Sequence, residues 1–197
     1  GEAAGLIERI ITIDPQNADA RNNLGNVLEG LGKIDEAERC YRKAIALRPD
    51  HAPAHNNLGV VLAAQKRLQE AVEVYRRAIE LAPDSADFHY NMGNALRKLG
   101  KIAAAAESYR AAVSAKPDHV GAWQGLTRSL VQAGRTAEAE RAFEDWLQRD
   151  PTTPTLGYLR AALLGRDQPD RAPDAYITSI FDEIPASGIS SCNTFNV

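Results

Sequence analysis

The sequence has few of the residues that build disulfide-linked, metal-bound or membrane-embedded proteins. Its 197 residues include two cysteines, Cys40 and Cys192, which are too few and too far apart for a disulfide framework or a metal knuckle. No apolar run approaches the roughly 20 residues of a membrane span, and the first residues lack the charged and apolar regions of a signal peptide. We therefore expect no membrane insertion and a cytoplasmic location.

The sequence also lacks an excess of positive charge and the short motifs of common enzymes. Its net charge is -3, so it has no basic footprint of the kind that nucleic acid demands. It contains no glycine-rich phosphate loop, nucleophile elbow or paired-histidine motif. We therefore expect a chain with no catalytic activity, no cofactor and no nucleic-acid partner.

What the sequence does contain is a repeat. An Asn-Leu-Gly core occurs at Asn23-Leu24-Gly25 and Asn57-Leu58-Gly59, and recurs as Asn91-Met92-Gly93, with a step of 34 residues each time. Other positions follow the same step: a small residue at Ala37, Ala71, Ala105 and Ala139, an aromatic residue at Tyr41, Tyr75, Tyr109 and Phe143, and a proline at Pro49, Pro83, Pro117 and Pro151. Small residues let two helices approach closely, the aromatic ring fills the space between them, and proline ends the second helix.

A period of 34 residues with these offsets resembles the tetratricopeptide repeat family over residues 1–153. The resemblance implies an all-α fold, a right-handed α-solenoid of helix-turn-helix units. The predicted units span residues 18–51, 52–85, 86–119 and 120–153. The histidines follow the repeat architecture, which argues against a metal site; they are His51, His55, His89 and His119.

The two ends of the chain depart from the pattern. Residues 1–17 read as the second helix of a truncated repeat, so we expect the chain to start inside a repeat of a longer parent. Residues 154–184 are predicted to form capping helices and a linker, and residues 185–197 a polar tail. Residues 156–183 also resemble the junction between tetratricopeptide repeats and an S-adenosylmethionine-dependent methyltransferase domain in bacterial proteins. That resemblance assigns no cofactor residue to this chain.

The repeated asparagines Asn23, Asn57 and Asn91, which we call the asparagine ladder, are the first candidates for ligand binding. The family resemblance implies that the first helix of each unit lines a concave face and that the ladder points into it. A carboxamide can pair with the N–H and C=O of one peptide unit. Because packed helices lie roughly 8–10 Å apart and an extended peptide advances about 3.3 Å per residue, one asparagine can hold about one peptide unit in three.

This ladder resembles the asparagines that hold extended peptide in the superhelix of the O-linked N-acetylglucosamine transferase. The fourth unit has Gly125 at the ladder position. The alternative is that asparagine is simply a frequent residue of this helix and supports the adjacent turn. The complete predicted peptide-binding set is Asn22, Asn23, Asn26, Asn56, Asn57, Tyr90, Asn91, Asn94, Arg97, Lys98 and Arg128.

Charges along the same face predict an orientation for the ligand. Acidic residues occupy the first unit, at Asp19 and Glu29, and the basic residues of the predicted set occupy the third and fourth units. This arrangement favours a ligand with acidic groups toward the C-terminal units, by about 1 kcal/mol or less per exposed pair. Related domains clamp the acidic tail of a chaperone with basic residues, but asparagine and aspartate occupy several of those positions here. We therefore expect no binding of such a tail.

Three hypotheses follow for the function. The first is a scaffold that binds an extended segment of another protein along its concave face. The second is the recognition arm of a larger methyltransferase or glycosyltransferase. The third is a structural protein that self-associates through its N-terminal helix or its C-terminal tail. The first is the prediction we carry forward.

Overall fold

The computed structural model describes residues 7, 12–149 and 160 of the chain. Every regular element within these residues is an α-helix, which confirms the predicted all-α solenoid. Within the first compact unit, the described residues 18–149 form eight helices that follow one another in four pairs. They are α1 (Ala18–Gly30), α2 (Ile34–Leu47), α3 (Ala52–Ala64), α4 (Leu68–Leu81), α5 (Ala86–Lys98), α6 (Ile102–Ala115), α7 (Val120–Gln132) and α8 (Thr136–Arg149).

The first helix of most pairs begins with a side-chain cap. The Asn17 side chain accepts a hydrogen bond from the Ala20 amide at 2.8 Å, an ordinary N-cap interaction that satisfies one of the free N–H groups at the helix start. His51 caps α3 in the same way, with Nδ1 accepting from the Ala54 amide at 3.1 Å. The imidazole at His119 does so for α7. Two of the histidines therefore serve as helix caps.

Each of the first three pairs is held closed by a tyrosine that packs against a glycine. A Cβ atom added to Gly25 would lie 2.5 Å from Tyr41, and one added to Gly59 would lie 2.5 Å from Tyr75. Tyr41 is fully buried in this contact. Only a glycine lets the first helix approach the tyrosine ring this closely, because any other residue would place its side chain inside the ring.

Charged side chains connect two pairs of successive second helices, α2 with α4 and α6 with α8. Glu38 on α2 accepts hydrogen bonds from Arg67 at the start of α4, at 3.0 and 3.1 Å. Arg135 at the start of α8 reaches Glu107 on α6 at 2.8 Å in the same way. Ion pairs on the side of the second helices thus join the first repeat to the second and the third to the fourth, and neighbouring first helices are in direct contact.

Several predicted segments lie outside the described residues. They are the C-terminal caps and linker of residues 154–184 apart from residue 160, the tail of residues 185–197, and most of the half-repeat at residues 1–17. None of the described helices is both long and apolar enough to cross a bilayer.

Candidate functional site

The first helices of neighbouring repeats form one continuous surface. α1 contacts α3, α3 contacts α5, and α5 contacts α7, whereas no two consecutive second helices in the described part of the chain approach as closely. A row of helices that is more tightly spaced on one side curves toward that side. The first helices therefore line the inner side of the curve, as the family resemblance implies, and we call the surface they form the inner side.

The asparagine ladder lies on this inner side. Asn23 is exposed, and Asn57 and Asn91 are half-buried. The three side chains do not stand apart as independent rungs, however, because hydrogen bonds from one helix to the next include them. Asn57 Nδ2 donates to Asn22 Oδ1 at 3.1 Å and to Asn26 Oδ1 at 2.9 Å. The middle rung of the ladder thus binds the preceding helix.

The same pattern continues in the next repeat. Asn91 Nδ2 donates to Asn56 Oδ1 at 3.0 Å, and Asn56 Nδ2 donates to Asn57 Oδ1 at 3.2 Å. In the first repeat Asn22 Nδ2 donates to Asn23 Oδ1 at 3.4 Å. These hydrogen bonds connect asparagines of three helices, and we call the connected set the amide network. Its members are Asn22, Asn23, Asn26, Asn56, Asn57 and Asn91.

Two members of the predicted binding set occupy a different environment from the one expected. Asn22 and Asn56 were expected to offer further amides on the inner side, but their residues are only 6% and 9% exposed. Their carboxamides lie beneath the surface and accept the N–H groups of Asn57 and Asn91. Amide groups buried in this way remain stable only because they are paired. These two residues therefore support the ladder from below.

Tyrosines from two of the second helices hydrogen-bond asparagines of the predicted binding set. The Tyr41 hydroxyl lies 2.9 Å from Asn26 Oδ1 and 2.8 Å from Glu29 Oε2, and donates its proton between them. Burial raises the pKa of Tyr41, and the nearby Glu29 carboxylate raises it further. The hydroxyl therefore stays protonated and keeps Asn26 Oδ1 in place. In the third repeat Tyr109 donates to Asn94 Oδ1 at 2.7 Å.

The inner side changes character at the third repeat, where aromatic side chains replace amides. Tyr90 occupies the position of Asn22 and Asn56, and its ring lies 6.0 Å from Tyr109 and 4.6 Å from His119 between centroids. Such tilted arrangements are favourable for aromatic pairs. The amide network therefore ends at Asn91, and an aromatic cluster of Tyr90, Tyr109 and His119 follows it.

Charge is distributed unevenly along the inner side. At the N-terminal end Asp19 pairs with Arg48 and lies 3.0 Å from His51 Nε2, and the hydrogen bond from Arg48 lowers the pKa of Asp19. At the other end Lys98 is exposed, and the positive charge of Arg97 acts on the Tyr109 hydroxyl. The charge of Asp19 is thus offset by Arg48, whereas Lys98 in the third repeat is exposed.

Arg128, the last member of the predicted set, lies on α7 and is half-buried. Its position follows Asn26 and Asn94 by the 34-residue step. The positive charge of Arg128 also acts on the Tyr109 hydroxyl. This places Arg128 in the same cationic region as Arg97, at the aromatic end of the inner side.

His55, His89 and Cys40 occupy positions that fit structural roles better than metal binding or catalysis. His55 Nε2 and His89 Nε2 lie 2.9 and 2.7 Å from the carbonyl oxygens of Pro49 and Pro83. The described residues contain no group of histidine, cysteine and carboxylate side chains that could hold a metal ion. The Cys40 thiol is partly buried, and burial raises its pKa, which disfavours the reactive thiolate.

A second concave feature lies on the side of the second helices. It is a cleft of about 350 Å³ between α6, α7 and α8, with Trp123, Leu126 and Leu130 on its walls. Arg110 and Glu138, also on the walls, pair with each other at 3.0 Å. Sequence patterns did not indicate this cleft, because its lining comes from repeat positions that otherwise look like ordinary helix-packing residues.

A family model for the tetratricopeptide repeat matches residues 22–86 and 90–154. The match ends at residue 154, before residues 156–183, so it gives the predicted methyltransferase junction no support. Apart from residue 160, that segment lies outside the described residues. No curated protein matches the sequence significantly.

Several solved structures are similar to this chain. YrrB, described as a tetratricopeptide repeat protein with an unusual peptide-binding site, is 23% identical with a TM-score of 0.72, over 83% of this chain and 84% of YrrB. MamA from Desulfovibrio magneticus RS-1 is 22% identical with a TM-score of 0.68, over 78% of this chain and 86% of MamA. PilF of Pseudomonas aeruginosa is 24% identical with a TM-score of 0.69, over 81% of this chain and 72% of PilF.

Proposed function

Because the chain belongs to the tetratricopeptide repeat family, we propose that it binds an extended peptide segment of another protein along the inner side of its first helices. The fold itself is a scaffold for interaction between proteins, and proteins of this family are typically not enzymes. The observation that carries the finer proposal is the row of polar amides that crosses three neighbouring helices on one continuous surface.

The chemistry of this row suits a peptide backbone better than it suits most other ligands. Carboxamides both donate and accept hydrogen bonds, as peptide groups do, and they carry no charge. Asn23 and Asn26 are exposed, and Asn57, Asn91 and Asn94 are half-buried, so these five amides reach the surface. An extended peptide that follows them can satisfy its own backbone groups without contributing a particular side chain, so the amides give affinity rather than sequence preference.

Sequence preference is assigned to the third and fourth repeats. Lys98 is exposed there, and Arg97 lies beside the Tyr109 hydroxyl. Tyr90 adds an aromatic surface next to them. A segment with an acidic side chain near an apolar or aromatic one complements this region, and the acidic side chain points toward the C-terminal repeats. The peptide-binding site of YrrB, a protein of similar fold, is consistent with such a use of the fold.

The proposal is tested by selection and measurement of a peptide ligand. A phage-displayed library of random dodecapeptides is selected against the full chain, and the Kd of a selected peptide is measured by fluorescence anisotropy. Asn91→Ala should weaken binding by roughly 2- to 10-fold, the value of one or two hydrogen bonds. Gln69→Ala, which removes an exposed amide from α4 among the second helices, is the matched control and should leave the Kd unchanged.

Two results would count against peptide binding at this surface. One is a library that yields no peptide with a measurable Kd for the wild-type chain. The other is an equal loss of affinity in Asn91→Ala and Gln69→Ala. Salt provides a further check, because contacts between exposed charges weaken as ionic strength rises. A peptide with acidic side chains should lose affinity at high salt, and less so in Lys98→Ala.

A further inference from the structure

We propose that the two ends of the amide network, Asn23 and Asn91, make the backbone contacts to the peptide, and that the middle asparagine, Asn57, is a structural link between the first two repeats. This inference rests on the proposed function. It assigns different tasks to three asparagines that the repeat pattern treats as equivalent, and it follows from the number of hydrogen bonds each side chain already makes.

The donors of Asn57 are fully occupied within the protein. A carboxamide carries two N–H donors and one oxygen with two acceptor positions. Asn57 Nδ2 donates to Asn22 Oδ1 at 3.1 Å and to Asn26 Oδ1 at 2.9 Å, and Asn57 Oδ1 accepts from Asn56 at 3.2 Å. A peptide carbonyl can bind Asn57 only if one of these internal bonds breaks.

The ends of the network have free N–H donors, which the middle lacks. Asn23 Oδ1 accepts a long bond from Asn22 at 3.4 Å, and among the described residues both N–H donors of Asn23 are without a partner. Asn91 donates one N–H to Asn56 at 3.0 Å, and its oxygen and second N–H have no partner within the same part of the chain. Asn23 can therefore donate hydrogen bonds to a ligand, and Asn91 can both donate and accept them.

Burial explains why the middle of the network resists rearrangement. The acceptor below Asn57 is the carboxamide of Asn22, a residue that is only 6% exposed. If Asn57 turned toward a ligand, the Asn22 oxygen would lose its partner away from water, which is costly. Asn26 Oδ1 is also fixed, because it accepts from the Tyr41 hydroxyl at 2.9 Å. Asn57 is held from two directions.

The spacing of the two ends sets the class of ligand. Asn23 and Asn91 lie on α1 and α5, two helix spacings apart, which is about 16–20 Å for packed helices. An extended chain covers that distance in roughly five or six residues. The ligand is thus an extended segment of at least about six residues that presents a backbone carbonyl to Asn23 and a backbone N–H or carbonyl to Asn91.

The test compares one chemical change at two equivalent positions of the full chain. Asn23→Asp and Asn57→Asp each replace the NH₂ group by oxygen and add one negative charge. Asn23→Asp keeps the acceptor that Asn22 uses, so its unfolding midpoint should match the wild type while the selected dodecapeptide binds at least several-fold more weakly. Asn57→Asp removes both donated bonds and should lower the unfolding midpoint by roughly 3–10 °C.

Side-chain amide signals in ¹⁵N NMR spectra provide a readout that does not need the variants. The NH₂ protons of Asn57 should exchange with water more slowly than those of Asn23. When the selected peptide is added, the signals of Asn23 and Asn91 should shift and those of Asn57 should stay. Equal exchange at Asn23 and Asn57, or the largest shift at Asn57, would overturn the assignment. So would equal unfolding midpoints in Asn23→Asp and Asn57→Asp.

The failure of this inference can be told apart from the failure of the proposed function. If no peptide binds the wild-type chain, the proposed function fails, while the exchange rates and unfolding midpoints still decide whether Asn57 is a structural link. If a peptide binds the wild-type chain, but Asn57→Asp keeps the wild-type unfolding midpoint and no longer binds the peptide, then the proposed function stands and the roles assigned to the asparagines are wrong.

Discussion

The turn that contains Lys66 should be the least stable of the four turns within the repeats. Replacing Lys66 by glycine should therefore stabilise the chain. The first helix of each repeat ends in the same turn, in which one residue adopts a left-handed conformation. That residue is Gly32, Gly100 and Gly134 in three repeats, with φ between 72° and 75°, and Lys66 in the other, with φ 64°. Lys66 donates its amide to Ala63 O at 3.1 Å, and Arg67 donates to Leu62 O at 2.9 Å, the hydrogen-bond pattern of a Schellman motif.

The expected gain in the free energy of unfolding is the difference between two effects on the backbone. A residue with a Cβ atom pays roughly 1–2 kcal/mol in the left-handed region, and Lys66→Gly removes that cost. Glycine in turn makes the unfolded chain more flexible, which costs roughly 0.5–1 kcal/mol. The net gain is about 0.5–1 kcal/mol, and a chain of this size should unfold about 1–4 °C higher. Lys66 is exposed, so the loss of its side chain removes little packing.

Thermal unfolding followed by circular dichroism at the helix band measures this gain. Lys66→Ala is the control, because alanine removes the charge but keeps the Cβ atom, and it should gain nothing. Gly100→Lys, the reverse change in the third repeat, should lower the midpoint by a similar amount. If Lys66→Ala stabilised the chain as much as Lys66→Gly, the gain would come from the removed charge and the argument from the backbone would be refuted.

Two further predictions concern packing and charge. Gly59→Ala places a Cβ atom 2.5 Å from the Tyr75 ring and should destabilise by about 1–3 kcal/mol, whereas Gly30→Ala, with nothing within 4 Å, should be neutral or stabilising in urea titrations. Partial burial raises the pKa of Glu38, but hydrogen bonds from its neighbours outweigh this and lower it. The Glu38 carboxylate thus stabilises the fold above its unfolded pKa and loses this effect as pH falls, so the wild type should be more stable than Glu38→Gln at pH 7, and this advantage should vanish near pH 3.

The fold was predictable from the sequence because its main determinants are local and repeated. A glycine and an aromatic residue at fixed offsets specify a close helix pair, and the structure places Gly25 against Tyr41 as this requires. Turn glycines and prolines mark the helix ends. Since each repeat contacts mainly its neighbours, four copies of one local rule determine the array, and no distant pairing had to be inferred.

The candidate site was only partly predictable, because it depends on how one helix faces the next. The repeat pattern places Asn22 and Asn23 next to each other on α1, and it does not say which of the two lies beneath the surface. That choice follows from the packing of α3 on α1, which buries Asn22 and brings Asn57 within hydrogen-bonding distance of it. A sequence pattern gives the position of an amide group but not its partner.

The loss of the ladder at Gly125 illustrates the same limit. By the repeat pattern, Gly125 is simply a missing asparagine. In the structure Tyr109 packs against Gly125 as well as Gly93, and a Cβ atom on Gly125 would lie 2.6 Å from the tyrosine ring. An asparagine therefore cannot be added there without moving Tyr109, which also contacts Tyr90. Gly125 and Tyr90 thus belong to one packing arrangement, in which aromatic rings replace the amide network, so the ladder ends where this aromatic packing begins.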